Sequence, residues 1–393
     1  MIATGIFGGC YASFYGIIAR DEFNAGPFWI SLIVAAQFLS GLVSSITTGF
    51  VPKGKEGIYS RAIHIFSSLF LIGSAFTNTA ESFCFMLFLF HMVACYGPLE
   101  DSVYAYLYPL NIRSQMMGYT KIFSVGTSSV AVILAGLVIN MTLFGIGVWR
   151  GIFVIAGIFH ALRGIIRCFY KTDIVPDNTR PNPFSFIKKS FKLLVENKIN
   201  IIIIISGILL TSAFTLFSTL IPMYQVDVLH LTGREVSILT VVSYISLLFA
   251  YPILGTFFTK TGPVKAWLFA FPFAITLPLF YVFLGNSWYP LIIGIVLYSG
   301  FSVAIDICWI NLLIYLGGED RLMEYQAFYA FVGGFRAIIG LLASTYIINT
   351  CDKMQFSHAI NLKIAFLVGV GIMILGFFVC LGLLKFKKKD FSS

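Results

Sequence analysis

Five groups able to carry charge or a proton stand inside otherwise apolar stretches of this chain: Arg336, Asp306, Glu100, Asp101 and His91. A charge in hydrocarbon is costly, so each needs a watery or well-paired setting and marks a place where function justifies the cost. Arg336 lies about 14 residues into its run, about 20 Å deep at 1.5 Å per residue. A guanidinium there either grips a carboxylate or phosphate through paired N–H groups or is a structural cation bonded to a neighbouring helix or its carbonyls. Asp306 falls about 18 residues into its own run, and Glu100 and Asp101 reach a comparable depth in theirs. A carboxyl in low dielectric can load and release a proton near neutral pH, the chemistry of a coupled carrier. The competing reading is a salt bridge that locks one end of the bundle, with Arg113 or Lys121 facing the Glu100–Asp101 pair. His91 can share a hydrogen bond or take a proton, whereas His64 and His160 read as structural.

The elements that position these groups follow from composition. The chain is 58% hydrophobic and only 11% charged, with a mean hydropathy of +0.91. No soluble class fits, because such a chain cannot cover a water-facing surface. The apolar runs are continuous over about 20 residues, the length of a crossing helix, and lack the alternation of barrel strands. Twelve spans are expected, at 1–20, 28–49, 61–79, 83–108, 119–141, 148–169, 199–223, 236–258, 264–285, 288–316, 323–348 and 360–384. The first lacks the basic start of a cleavable signal and reads as a span. The seven cysteines are scattered without a C-x-x-C pair, so neither a disulfide framework nor a metal site is indicated. The Phe-rich composition reads as lipid-facing surface.

The chain echoes itself at a shift just over 200 residues. Asp21 and Asp227, Ser31 and Ser237, and Gly49 and Gly255 each stand 206 apart; Arg113 and Arg321 stand 208 apart, and Asn140 and Asn349 stand 209 apart. Their order and slow drift argue for duplication of a six-span unit. The expected domains are an N-terminal bundle (1–169), a basic linker with an amphipathic helix (170–198), a C-terminal bundle (199–385) and a basic tail (386–393). The seam between two such halves is where transporters bind their cargo.

With both termini cytoplasmic, only Arg20, Arg150, Arg234, Lys353 and Lys363 fall outside and Arg336 within the membrane; the other twenty of the 26 Lys and Arg lie inside. That bias follows the positive-inside rule and needs an even number of spans. It accounts for the +9 charge through an anionic leaflet, without a nucleic-acid partner.

The segment Gly255-Thr-Phe-Phe-Thr-Lys260-Thr-Gly262-Pro-Val-Lys265, placed between spans eight and nine, resembles the G-x-x-x-D-R/K-x-G-R/K-R/K loop of the major facilitator superfamily. Its first-half counterpart from Gly49 is degenerate, with Lys53 at the position of the family's Asp. Pro109-Leu-Asn-Ile-Arg113 keeps a P-x-x-x-R spacing seen in sugar-porter-like members, but Tyr106 replaces their acid, so no sugar is inferred. The resemblance spans essentially the whole chain. It implies an all-α fold of twelve helices in two pseudo-symmetric bundles, with the first, fourth, seventh and tenth helices lining a central cavity. On those or adjacent helices it places Trp309, Asn311, Tyr11, Tyr15, Gln37 and Tyr298 beside the charged groups, and it turns helices five and eleven, rich in small residues, toward the opposite half.

The implied function is secondary active transport of a small organic solute by alternating access. Arg336 favours an anionic or zwitterionic substrate, and the cavity-side acids favour H+ as coupling ion. Arg113, Lys121 and Arg321 are expected at a cytoplasmic gate. No cofactor is implied, and the expected partners are the substrate and membrane lipids, with a monomer as the working unit. The expected place is a plasma membrane, or a bacterial inner membrane. An efflux pump on the same scaffold is the alternative, and a transporter-derived receptor is a further one. An enzyme would need a nucleophile–base or metal motif, and H-E-x-x-H and G-x-S-x-G are absent, as is a nucleotide-binding loop.

Overall fold

A computed structural model of the chain describes residues 1–48, 50–51, 55–95, 110–143, 146–166, 188, 192, 198–261, 263–317, 322–353 and 357–385. The first span is two helices, α1 (Ile2–Tyr11) and α2 (Tyr15–Asp21), with a turn between them at residues 12–14. Then follow α3 (Pro27–Thr48), α4 (Glu56–Ser74), α5 (Ala80–Val93), α6 (Leu110–Val138) and α7 (Trp149–Ile166). A two-residue antiparallel ribbon, Thr142–Leu143 with Ile146–Gly147, joins α6 to α7. The second half holds α8 (Lys198–Met223), extended by a π-helical turn at Tyr224–Val228, then α9 (Gly233–Thr261), α10 (Pro263–Leu284), α11 (Tyr289–Gly317), α12 (Leu322–Lys353) and α13 (His358–Leu381). From α3 onward, each helix thus carries the number of its span plus one. The bundle end holding Ile2 and Lys385 is called the terminal face below, and the opposite end the distal face.

Local chemistry sets several boundaries. Pro27 and Pro263 open α3 and α10, where a missing N–H costs nothing. Ahead of α9, Thr232 and Glu235 form a capping box: the Thr232 N–H donates to Glu235 Oε2 at 2.8 Å and the Glu235 N–H to Thr232 Oγ1 at 3.4 Å. Among the described residues ten helices are long and apolar enough to cross a membrane, and the 14 described residues of α5 make a shorter apolar helix. The third span, expected at 61–79, begins at Glu56 and ends at Ser74. Its hydropathy is lowered by His64, Ser67 and Ser68, which are buried within the protein and so escape lipid. Ser67 Oγ shares a 3.0 Å bond with His160 Nε2 on α7, and the two imidazoles stack 4.9 Å apart. The linker and tail expected at 170–198 and 386–393 lie outside the described residues, apart from Lys188, Lys192 and the first residue of α8.

The duplication is written into the backbone. Asn24 and His230, 206 residues apart, both take left-handed conformations, at φ 49° and 50°. Each follows the end of its half's first span, and each is bridged by the same bond, Ala25 N–H to Ala19 O and Leu231 N–H to Gln225 O, both 2.9 Å. These are closures one residue wider than the Schellman bond, built twice around a left-handed residue. Helix pairing repeats as well. Spans one and five, one and six, three and six, and two and four pack together, and so do seven and eleven, seven and twelve, nine and twelve, and eight and ten.

Two seams join the halves, α3 on α12 and α6 on α9, and the contacts of the first recur in the second with the two copies exchanged. In the first, Ser31 Oγ meets Ser344 Oγ at 2.7 Å, Ala35 packs with Ala337 and Leu341, and Gly41 approaches the Ala330 carbonyl. In the second, Gly136 lies against Ser237, and Gly233 against Ile139 and Asn140. Ser31 and Ser237, one of the repeat pairs, thus occupy equivalent seam positions. A Cβ on Gly136 would collide with Ser237, so the close approach needs glycine.

Candidate functional site

Polar groups gather at three levels of the seam. Near mid-membrane, Arg336 of α12 donates from Nη1 to the Gly207 carbonyl of α8 at 2.9 Å. Ser212 Oγ donates to the Arg336 carbonyl at 3.5 Å, fixing the same two helices. The guanidinium lies in a slot between two glycines: a Cβ on Gly207 would stand 3.2 Å from Nη1, and one on Gly333 3.0 Å from Nη2. Its Nε is buried without a hydrogen-bond partner, and among the described residues no carboxylate pairs with it. Side chains of this kind are bonded in nearly every folded interior, so an open N–H here calls for an explanation.

The antiparallel register of α3 on α12, set by the Ser31–Ser344 and Ala35–Ala337 contacts, brings Gln37 and Phe38 level with Arg336. Gln37 is exposed at the middle of α3 and donates from Nε2 to Tyr15 Oη at 3.2 Å. Tyr15 stacks on Tyr11 at 5.3 Å, and Tyr11 Oη shares a 2.6 Å bond with His91 Nε2 on α5. From Phe38 a run of rings crosses the seam, to Phe214 at 5.9 Å, Phe301 at 6.1 Å and Tyr298 at 5.3 Å. The first half therefore offers neutral polar edges and aromatic faces, and the second offers a cation.

Toward the terminal face, Asp306 of α11 accepts from Tyr251 Oη of α9 and pairs with Lys121 Nζ of α6 in the other half at 3.4 Å. The Lys121 and Asp306 side chains are 54% and 37% exposed, so water screens this pair. Asp306 and Arg336, on adjacent helices, do not pair: one reaches across to α6 and the other to α8.

At the distal face, Arg20 Nε of α2 donates to both carboxylate oxygens of Asp227, at 2.7 and 3.0 Å. Its Nη1 donates to Ala25 O at 3.0 Å, and His358 Nε2, at the start of α13, meets Asp227 Oδ2 at 2.9 Å. The Arg20 and Asp227 side chains are only 18% and 14% exposed. The π turn that closes α8 carries Asp227 to this position. Gly16 lets α2 pass Pro222, whose Cγ would stand 2.8 Å from an added Cβ. This three-helix tie was not among the expected site residues. Asp227 was legible as the repeat partner of Asp21, and Arg20 as one of five outer cations, but nothing in one dimension joins them to His358.

Of the other expected residues, Glu100, Asp101, Gly49, Gly262 and Arg321 lie outside the described residues. Arg113, Gly255, Trp309 and Asn311 lie on α6, α9 and α11, with only their backbone described. The segment expected as a loop from Gly255 to Lys265 is mostly helix. Gly255 and Lys260 belong to the last turns of α9, which ends at Thr261, and Lys265 to the first turn of α10. A lysine suits the negative end of a helix dipole and Pro263 suits a first helical position, so both helices run to the junction.

Two six-span units of like packing, joined along two seams with polar groups between them, define a carrier of the membrane-embedded, two-half type. The sequence matches the Major Facilitator Superfamily over residues 1–341, and the chain belongs to that family of membrane transporters. Its fold is similar to the crystal structure of the nucleoside transporter NupG, with a TM-score of 0.72 at 13% identity over 98% of this chain and 97% of that one. It is similar too to a bacterial homologue of the human lysosomal transporter Spinster, in an inward-facing and unoccupied conformation, with a TM-score of 0.69 at 12% identity over 100% and 95%. No curated protein matches the sequence.

Proposed function

We propose that this transporter carries a small organic solute, anionic or zwitterionic, by alternating access, with its terminal face in the cytoplasm and protons as the coupling ion. The observation that carries the reading is the contrast between its two cross-seam ties. The distal tie, Arg20–Asp227, is short and largely buried, and the terminal-side tie, Lys121–Asp306, is longer and open to water. Two such closures on either side of a mid-membrane cation are what alternating access requires, one opening while the other holds. The distal side is the tightly closed one in this conformation, so Arg336 would meet cargo from the terminal side. The Lys and Arg bias supports a cytoplasmic terminal side. Asp306 supports proton coupling as the described carboxylate that ties the two halves together on the terminal side.

Counterflow in proteoliposomes, screened over labelled metabolites with and without a protonophore, tests the whole reading. Accumulation of external label against an unlabelled preload is the expected result, and net uptake driven by an imposed proton gradient should collapse with the protonophore. Net uptake indifferent to the protonophore would remove proton coupling. Absence of flux for every solute in both directions would instead point to a receptor on a transporter scaffold.

A further inference from the structure

The repeat allows Arg336 to be compared with its own counterpart. At the 208-residue shift it corresponds to Ser128, and Phe38 corresponds at 206 to Tyr244. Both members of the first pair do the same structural job. Ser128 Oγ donates to the Gly5 carbonyl at 3.0 Å, and Arg336 Nη1 donates to the Gly207 carbonyl at 2.9 Å, each clasping a glycine on the first span of its own half. At the α6–α9 seam, Tyr244 places a phenol beside Ser128 and Ser13. At the α3–α12 seam, Phe38 stands where the phenol would be and offers no oxygen. The hydroxyl of one copy has become a fork of N–H groups in the other, and the phenol of the facing helix has become a bare ring.

The site's shape decides what fits. With Nη1 committed to Gly207, the free edge of the guanidinium is the one formed by Nε and Nη2. Those two parallel N–H groups match the two oxygens of one planar carboxylate. Among the described residues no second cation stands at this depth, so one negative charge is balanced and a second would not be. Phe38 and Phe214 in edge-to-face contact, continued by Phe301, supply an apolar wall for a ring. Gln37 and Tyr15 are neutral groups level with this wall.

We infer that the cargo is a small aromatic monocarboxylate, its carboxylate held by the Nε–Nη2 edge of Arg336 and its ring against Phe38 and Phe214. This rests on the transport reading above, and binding and flux are measured separately so that either can fail alone. The binding probes are benzoate, the neutral isostere benzamide, and phenyl phosphate, titrated against the purified full-length protein while thermal unfolding is followed.

Benzoate should stabilise the protein, benzamide should bind about 10- to 100-fold more weakly, and phenyl phosphate should be no better than benzoate. Arg336→Gln should lose the preference for benzoate over benzamide, and Arg336→Lys, keeping charge without the fork, should weaken benzoate about tenfold. Phe38→Tyr restores the phenol of the other seam and should also weaken benzoate about tenfold while the unliganded protein unfolds at its usual temperature. It keeps the idea open to refutation if Arg336→Gln fails to fold. Equal binding of benzoate and benzamide, unchanged benzoate binding in Arg336→Gln or Phe38→Tyr, or tighter binding of phenyl phosphate would each overturn the inference. Counterflow of neutral solutes alone, untouched by Arg336→Gln, would overturn it and leave transport standing. Benzoate binding without flux of any solute would do the reverse.

Discussion

Replacing Asp227 with Asn should open the distal face. The change keeps the side chain's size and one acceptor oxygen but removes the charge that Arg20 meets at 2.7 and 3.0 Å. Hydrogen bonds to charged groups contribute about 1.5–3 kcal/mol, and with both side chains largely buried about 2 kcal/mol is a fair value for the tie. Only the distal-closed state contains this contact, so its loss should shift the closed-to-open ratio by about 30-fold toward open. Arg20 keeps its bond to the Ala25 carbonyl, which limits collateral damage to α2. Spin labels at exposed Glu22 and Asn286, in a chain freed of its native cysteines, would report the distance between the halves at that face. A longer-distance population should appear in Asp227→Asn and in Arg20→Gln, and the double variant should be little more open than either single one. Identical distance distributions in wild type and both single variants would refute the reasoning, because the tie would then contribute nothing to closure.

Three further outcomes follow from the same geometry. Lys121→Ala removes a screened, exposed pair and should change thermal stability by less than about 1 kcal/mol, so a large loss of Tm would contradict the weight given to that contact. Gly136→Ala should disfavour the distal-closed state through collision with Ser237, at a cost of about 1–3 kcal/mol, and Ser237→Gly should restore transport; absence of rescue would place the damage elsewhere. Tyr11→Phe deletes the bond to His91 and should cost about 1 kcal/mol in thermal unfolding while weakening transport, and a Tm equal to wild type would show the bond to be dispensable.

Much of the architecture was legible one dimension at a time. Hydropathy located the spans because lipid demands uninterrupted apolar helices, and the 206-residue echo marked positions that the fold uses twice, such as Ser31 and Ser237 at the seams. The third helix begins at Glu56 with a polar turn, EGIYS, that hydropathy leaves out, so its span was placed five residues late. Depth along a helix was legible for Asp306 and Arg336, but azimuth was not. Their partners were therefore hidden: one reaches Lys121 and Tyr251 and the other Gly207. His358 carried no signal at all, because its contact to Asp227 spans 131 residues and has no counterpart in the first copy's chemistry.

The break in the first span has a mechanical consequence. α1 packs against α6 and α7 of its own half, whereas α2 packs chiefly against α8 and its π turn across the seam. A rod would transmit any distal movement to the floor of the bundle, but a jointed rod does not. At residues 12–14 the two helices are linked through a turn, where Phe14 N–H bonds Tyr11 O, so bending there disturbs less of the helical ladder than bending a continuous rod, and the outer segment can swing while the inner one stays seated. Seven residues are a small load compared with six helices. Opening at the distal face can therefore be a light, rapid event that precedes the slow rocking of whole bundles, leaving a sealed intermediate between the two.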